Sequence, residues 1–265
     1  MARRYLSKNI LEDQQQFIRL LDRYEIDIFC IDDIESTLDH EFSNLNEILE
    51  NLVEKEFLTR MERGKYCRKN FRDEKVIGCY LVVDGIISYW SALNIHGLIE
   101  QFPNTVFIQT VKVKGDKNIF GVAYQFVKIN PRKRTGIQQE GFGNHRYRIT
   151  DKEKTIVDCF DLPQYSGGYP ELLRAFNDAD LGQDKLIEYC KAINNLSAIK
   201  RMAFLAEFLG KKKMSRFLKF AASKVNPRYI LIDPFGQEEG VFNSKWKLRL
   251  NISENEIRSI CNKQY

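Results

Sequence analysis

The segment Arg148-Ile149-Thr150-Asp151-Lys152-Glu153-Lys154-Thr155-Ile156-Val157-Asp158, with Ser166-Gly167-Gly168-Tyr169 close behind it, constrains this chain more than any other. A strand-like run ends at Thr150, and a glutamate stands three positions on. That spacing predicts a capping box, in which the Thr150 hydroxyl accepts from an orphan helical N–H and Glu153 reaches back to the N-cap N–H. Ile156, Val157, Phe160 and Leu162 then supply an apolar helical face, and Gly167-Gly168 breaks the chain before a second helix. Strand, capped helix, paired glycines and helix, in that order, point to an α+β fold.

A chain of 265 residues with 43% apolar content has material for a sizeable core and for two small domains. No apolar run approaches the roughly 20 residues that span a bilayer. Met1-Ala2-Arg3-Arg4-Tyr5 gives way within a few residues to polar and acidic sequence, so neither a membrane segment nor a signal peptide is expected. Cys30, Cys67, Cys79, Cys159, Cys190 and Cys261 show no C-x-x-C spacing and read as reduced thiols of a cytoplasmic protein. The net charge of +5 is unevenly spread: acids dominate residues 3–58, and the positive excess falls in 60–75, 112–134 and 200–228. Clustered basic charge suits a nucleic-acid partner.

Residues 1–70 read as a winged helix-turn-helix. Phe17, Leu20, Leu21 and Tyr24 mark a first helix over 12–24, and 26–29 a short strand. Asp32-Asp33 are expected to cap a second helix, Asp39-His40-Glu41 to turn, and Ser43 to cap a third, with Leu45, Ile48, Leu49, Leu52 and Val53 as its apolar stripe. Two short strands about Arg63-Gly64 form the wing. After a charged connector over 70–75, residues 73–265 read as a larger α+β domain. Its predicted elements are a helical pair over 76–83 and 87–96, strands over 105–111, 122–129 and around Ile137 and Tyr147, helices from Thr150 to about 222, late strands over 230–232 and 246–250, and a closing helix over 254–262.

The chemistry that this pattern suggests is DNA binding. The early third helix would present Ser43, Asn44, Asn46 and Glu47 to base edges, since asparagine can read adenine and glutamate can accept from cytosine. Phosphates would be held by Arg60, Arg63, Lys65, Arg68 and Lys69 on the wing. Against this, Glu41, Glu47, Glu50 and Glu54 give the same helix a negative flank, which suits protein docking instead. The second cluster (Lys112, Lys114, Lys117, Lys128, Arg132, Lys133, Arg134) carries Phe120, Tyr124 and Phe126 nearby. It reads either as an RNA- or phosphate-binding face or as a solvated hairpin with its aromatics in the core, and the second is the expectation. Lys211-Lys212-Lys213, Arg216 and Lys219 suit the end of a helix.

Catalytic patterns are thin. His40, His96 and His145 lie far apart, and no Walker lysine loop, G-x-S-x-G or H-E-x-x-H is present. A metal reading of Glu153, Asp158 and Asp161 competes with the cap. No enzyme activity, metal or cofactor is expected.

The motif residues Thr150, Glu153, Lys154, Thr155, Ile156 and Asp158, the segment Trp90-Ser91-Ala92-Leu93 through His96-Gly97-Leu98, and Gly167-Gly168 together resemble the abortive-infection AbiE-type antitoxins of type IV toxin–antitoxin systems, also described as regulators of viral defence. The resemblance implies a winged helix followed by an α+β antitoxin domain, repression of its own operon at an inverted repeat in promoter DNA, and neutralisation of a nucleotidyltransferase toxin encoded nearby. It implies that Thr150, Glu153, Lys154, Thr155, Asp158, Gly167 and Gly168 are fold determinants. Residues after about 228 lie outside it and read as a C-terminal addition. Two further readings remain open: an interaction module that docks the toxin directly, and a catalytic antitoxin that modifies the toxin or its RNA substrate.

Overall fold

Phe17, Leu20 and Leu21 lie on one side of the first helix, α1 (Glu12–Arg23), and fix where the N-terminal elements gather. These are β1 (Ile28–Cys30), α2 (Ile31–Leu38), α3 (Leu45–Glu54), β2 (Leu58–Glu62) and β3 (Lys65–Arg68). The strands form an antiparallel sheet in the order β1-β3-β2. Ile34, Leu38, Ile48, Leu49 and Leu52 close over Phe29, Leu58 and Tyr66 on one face of it. Two expected caps are corrected. Helix α2 runs straight on from β1, so Asp32 and Asp33 stand inside its first turn. The N-cap of α3 is Asn44 rather than Ser43, and neither helix has a side-chain cap. The acidic first turns still oppose the positive helix end. The computed structural model describes residues 10–262, so the Met1–Tyr5 stretch lies outside the described residues.

Side chains alternate across a strand, and the second face of this small sheet is also covered. Ile28, Met61 and Cys67 join Phe71, Val76, Ile77 and Leu81 in a shared core. Segment 70–75 is therefore built into the structure: Phe71 is buried, and the Asp73 carboxylate accepts from the N–H groups of Lys75 (3.1 Å) and Val76 (3.3 Å) to start α4 (Glu74–Leu81). Polar bonds cross the same boundary. Lys65 Nζ donates to the Leu81 carbonyl (2.6 Å), and Asn144 Nδ2 to the Asp27 carboxylate (3.2 Å).

Next come β4 (Ile86–Ile87), α5 (Tyr89–Ile95), β5 (Thr105–Thr110), β6 (Lys117–Ile119), β7 (Val122–Lys128), β8 (Ile137–Glu140) and β9 (Tyr147–Thr150). They build a six-stranded mixed sheet in the order β6-β7-β5-β4-β9-β8. Ile87, expected in a helix, is instead central: it pairs with Ile108 on one side and Ile149 on the other. Val106, Ile108, Tyr124 and Phe126 face α4 and the N-terminal elements, whereas Phe107 and Val127 face a helical layer. Both faces of the sheet are thus buried.

The helical layer contains α6 (Lys152–Asp161), α7 (Tyr169–Asp178), α8 (Gln183–Ile193), α9 (Leu196–Phe208) and α10 (Ser215–Ala222). Helix α9 is buried all round from Ala198 to Ala206, which makes it the axis of this layer. A third sheet, β10 (Ile230–Leu231), β12 (Leu248–Leu250) and β11 (Val241–Asn243) in that order, and α11 (Glu254–Asn262) complete the chain. Trp246, Leu248, Leu250, Ile232 and Ile257 enter the same core as α6–α10, so residues after 228 are packed into this layer.

Because the N-terminal elements and the large sheet share a core, heating should unfold residues 10–262 in one transition. Phe71→Ala should cost about 3–5 kcal/mol by leaving a cavity at the boundary. Two separated calorimetric transitions in the wild-type chain would overturn this.

Candidate functional site

Residues 148–158 form the junction of the large sheet and the helical layer. Thr150 pairs with Ile137 across β8–β9 and is held in the strand, so the cap passes to the next residue. Asp151 is the N-cap of α6 and accepts from Lys154 N–H (2.8 Å). The predicted Thr150/Glu153 capping box is corrected on this point. The two hydroxyls of Thr150 and Thr155 share a hydrogen bond (2.8 Å), and Thr155 also donates to the Thr150 carbonyl (3.1 Å). Glu153 accepts from the Gly182 N–H (2.8 Å), tying α6 to the start of α8. The second Asp151 oxygen accepts from Lys185 Nζ (2.8 Å) and Tyr189 Oη (2.7 Å).

One turn further on, Lys154 and Asp158 form an ion pair inside the core, at 0% and 2% exposure. Gln109 Nε2 on β5 donates to the other Asp158 oxygen (2.7 Å). Burial pushes the Asp158 carboxyl above its ordinary value, opposed by the ammonium and the amide. Neither side chain reaches solvent, so the geometry is that of a tie between sheet and helix. Asp161 has its own partners, Lys133 Nζ (2.6 Å) and Asn195 Nδ2 (2.9 Å). Glu153, Asp158 and Asp161 therefore do not converge on a common point. Gly167, at φ +80°, lies against Trp90 so closely that a Cβ would stand 2.5 Å from the indole, and Gly168, at φ +108°, is the N-cap of α7.

On the N-terminal module, Ser43, Asn44, Asn46 and Glu47 are all exposed around the start of α3. The five basic residues divide. Arg60 and Arg63 are exposed and have no ion pair or hydrogen bond from their side chains among the described residues. Lys65 leaves the candidate set, because its ammonium bonds Glu62 (2.8 Å) as well as Leu81. Arg68 leaves it too, pairing with Asp22 and donating to the Ile26 carbonyl (3.4 Å). Lys69 pairs with Glu56 at the surface (2.5 Å). Glu41, Glu47, Glu50 and Glu54 are exposed with no cation partner among the described residues.

In the second cluster Tyr124 and Phe126 are core residues, Lys114 pairs with Glu62 (2.9 Å) and Lys133 with Asp161, which leaves Lys112, Lys117, Lys128, Arg132 and Arg134 exposed. Phe120 is covered by the Arg72 guanidinium, 3.9 Å from its ring centroid. In the third, Lys211 donates to the carbonyls of Phe176 (2.8 Å), Asn177 (3.0 Å) and Ala179 (2.8 Å). It neutralises the end of α7, a helix it does not belong to, where the partial negative charge favours a cation. No helix among the described residues is long and apolar enough to cross a membrane.

No protein-family model matches this chain, and no curated protein does. Among solved structures, the fold is similar to the crystal structure of the RV2827C protein from Mycobacterium tuberculosis, with a TM-score of 0.62 over 91% of this chain and 92% of that one, at 15% identity. At that identity the likeness describes the fold.

Lys154→Met should destabilise the chain by about 3–5 kcal/mol in urea denaturation, because it leaves the Asp158 carboxylate buried without a cation. Adding Asp158→Leu should recover part of the loss. A single-variant cost below about 1 kcal/mol would place the pair outside the structural core.

Proposed function

We propose that this chain is an antitoxin-type transcriptional regulator. In this reading residues 1–70 are a winged helix-turn-helix that binds an inverted repeat in its promoter. The α+β remainder counters a nucleotidyltransferase toxin encoded nearby. The resemblance of the motif around Thr150–Asp158 to AbiE-type antitoxins motivates the assignment. The observation that carries it is the polar start of α3 (Ser43, Asn44, Asn46, Glu47), open to a major groove, together with Arg60 and Arg63, whose charges the fold leaves unspent.

Phosphate contacts release counterions, so affinity for promoter DNA should fall steeply with salt. Arg60→Ala with Arg63→Ala should reduce the slope of log K against log salt by about 0.9 per lost contact, measured by fluorescence anisotropy. Asn46→Ala should relax sequence preference more than it weakens binding to random DNA. A salt-independent affinity would overturn the DNA-binding half of the reading.

The toxin half has its own measurement. Cells expressing the neighbouring open reading frame should stop growing, and the full chain should restore growth, as should the Arg60→Ala, Arg63→Ala variant. Toxicity without rescue would remove the antitoxin assignment.

A second reading draws on the four unpaired glutamates of the α3 region, which suit a basic protein partner such as the toxin itself. Co-purification of a stoichiometric complex at moderate salt, lost when Glu47 and Glu50 are changed to Lys, would favour it over independent action.

A further inference from the structure

Away from the N-terminal module, α9 and the C-terminal sheet line an open cleft of about 330 Å³. Its polar wall is arginine. Arg201, on the buried helix α9, is 8% exposed and uses only Nε within the fold, donating to the Leu231 carbonyl (3.0 Å). Its two terminal nitrogens have no hydrogen-bond partner among the described residues. Arg249 Nε is buried without a partner, and Arg228 stands exposed at the rim. None of the three is in a salt bridge among the described residues. Asp233 is close enough to favour the charged form of Arg201 but forms no bond to it, so the terminal nitrogens of that guanidinium remain open to an anion.

The second wall is aromatic. Tyr229 and Phe242 meet edge to face with centroids 4.9 Å apart, and both remain exposed, Phe242 at 62%. Each ring has a cation near it: Lys247 Nζ lies 5.3 Å from the Tyr229 centroid and Arg249 Cζ 5.4 Å from that of Phe242. The strand register places this deliberately, since Leu231, Arg249 and Phe242 are direct neighbours across β10, β12 and β11. The acids nearby are Glu238 on the lining and Asp233, whose Oδ1 is occupied by the Phe235 N–H (2.9 Å). Four cations against two carboxylates leave the cavity positive.

We propose that this cavity is a binding site for a nucleotide, with a phosphate between Arg201, Arg228 and Arg249 and the base against Tyr229 and Phe242. Arginine matches phosphate oxygens bidentately, and exposed aromatic rings stack on a base whatever its identity. The volume falls at the small end of ligand pockets and suits one nucleotide unit. That unit is supplied either by a free nucleotide or by the phosphorylated end of an RNA strand, since both present the same chemistry. The site shares no residue with Arg60, Arg63 or the start of α3, so it stands whether or not the chain binds DNA.

The test is calorimetric titration of the full chain with AMP, inorganic phosphate and adenosine. AMP should bind, phosphate should bind more weakly and compete with it, and adenosine should not bind measurably. R228Q with R249Q should weaken AMP and phosphate at least about tenfold while the melting temperature holds. F242A should weaken AMP about tenfold and leave phosphate unchanged. A 5′-phosphorylated oligoribonucleotide that displaces AMP assigns the site to a strand end, and one that does not assigns it to free nucleotides. Failure of both AMP and phosphate to bind at millimolar concentration overturns the proposal, as does equal affinity in the R228Q/R249Q variant or binding of adenosine as tight as that of AMP.

Discussion

An ion pair inside the core, Lys154 with Asp158, is the constraint on which the rest of the architecture depends. Two charges stripped of water are tolerated only where geometry and further hydrogen bonds repay the desolvation. The repayment here comes from Gln109 on the middle of the large sheet, so the pair dictates how α6 lies across β5. The Asp151 cap one turn earlier then anchors α8 through Lys185 and Tyr189, and Glu153 anchors the start of that helix. His96 closes the arrangement from α5, donating to the Thr150 carbonyl (2.7 Å). Four elements are thereby positioned by one short stretch of polar residues, and the apolar core fills in around them.

That same economy of polar groups shapes the N-terminal module. Its small sheet has one face on α1–α3 and the other on the core that begins at Phe71. Strand residues with both faces covered have little surface to offer, and two of the three cations on these strands are drawn into internal bonds. Lys65 serves the end of α4 and Arg68 the end of α1, where carbonyls and an aspartate are within reach. The basic surface that remains is smaller than the composition of residues 60–69 implies. A fragment beginning at residue 73 would lose Ile28, Met61, Cys67 and Phe71 from the core that also holds Val76, Ile77 and Leu81.

Elements carried by long periodic patterns were legible in the sequence. The stripe Leu45, Ile48, Leu49, Leu52 fixes α3, and the alternation in 122–128 fixes β7. The misreadings have physical causes. Ile86-Ile87 is too short to show alternation and runs into the apolar start of α5, so it resembled a helix. Strands β6 and β11 are three residues each and expose most of them, too short for an alternation to show. Thr150 and Asp151 are both good N-cap residues, and only the pairing of Thr150 with Ile137 decides between them. Partners that settle the fate of a charge lie far along the chain: Leu81 is 16 residues from Lys65, and Asp22 is 46 from Arg68. The arginine cavity was invisible for the same reason, since Arg201 and Phe242 meet only through the third sheet.

The acidic face of α3 weighs less against a DNA-binding role than its residue count suggests. At about 1.5 Å rise per residue, Glu54 lies about 12 Å along the axis from Asn46, and Glu50 about 6 Å. Screening at physiological salt falls off over about 8 Å, so Glu54 is largely invisible to a phosphate at the helix start, whereas Glu47 and Glu50 are not. The N-terminal N–H groups of α3, which no side chain caps, present partial positive charge at the same place and partly offset them. Under the proposed DNA-binding role, Glu47 and Glu50 would contribute selectivity. They would penalise backbone approach except where Arg60 and Arg63 supply phosphate contacts, so a duplex would have to engage the hairpin and the helix start together. Such a module would bind random DNA weakly and discriminate through geometry.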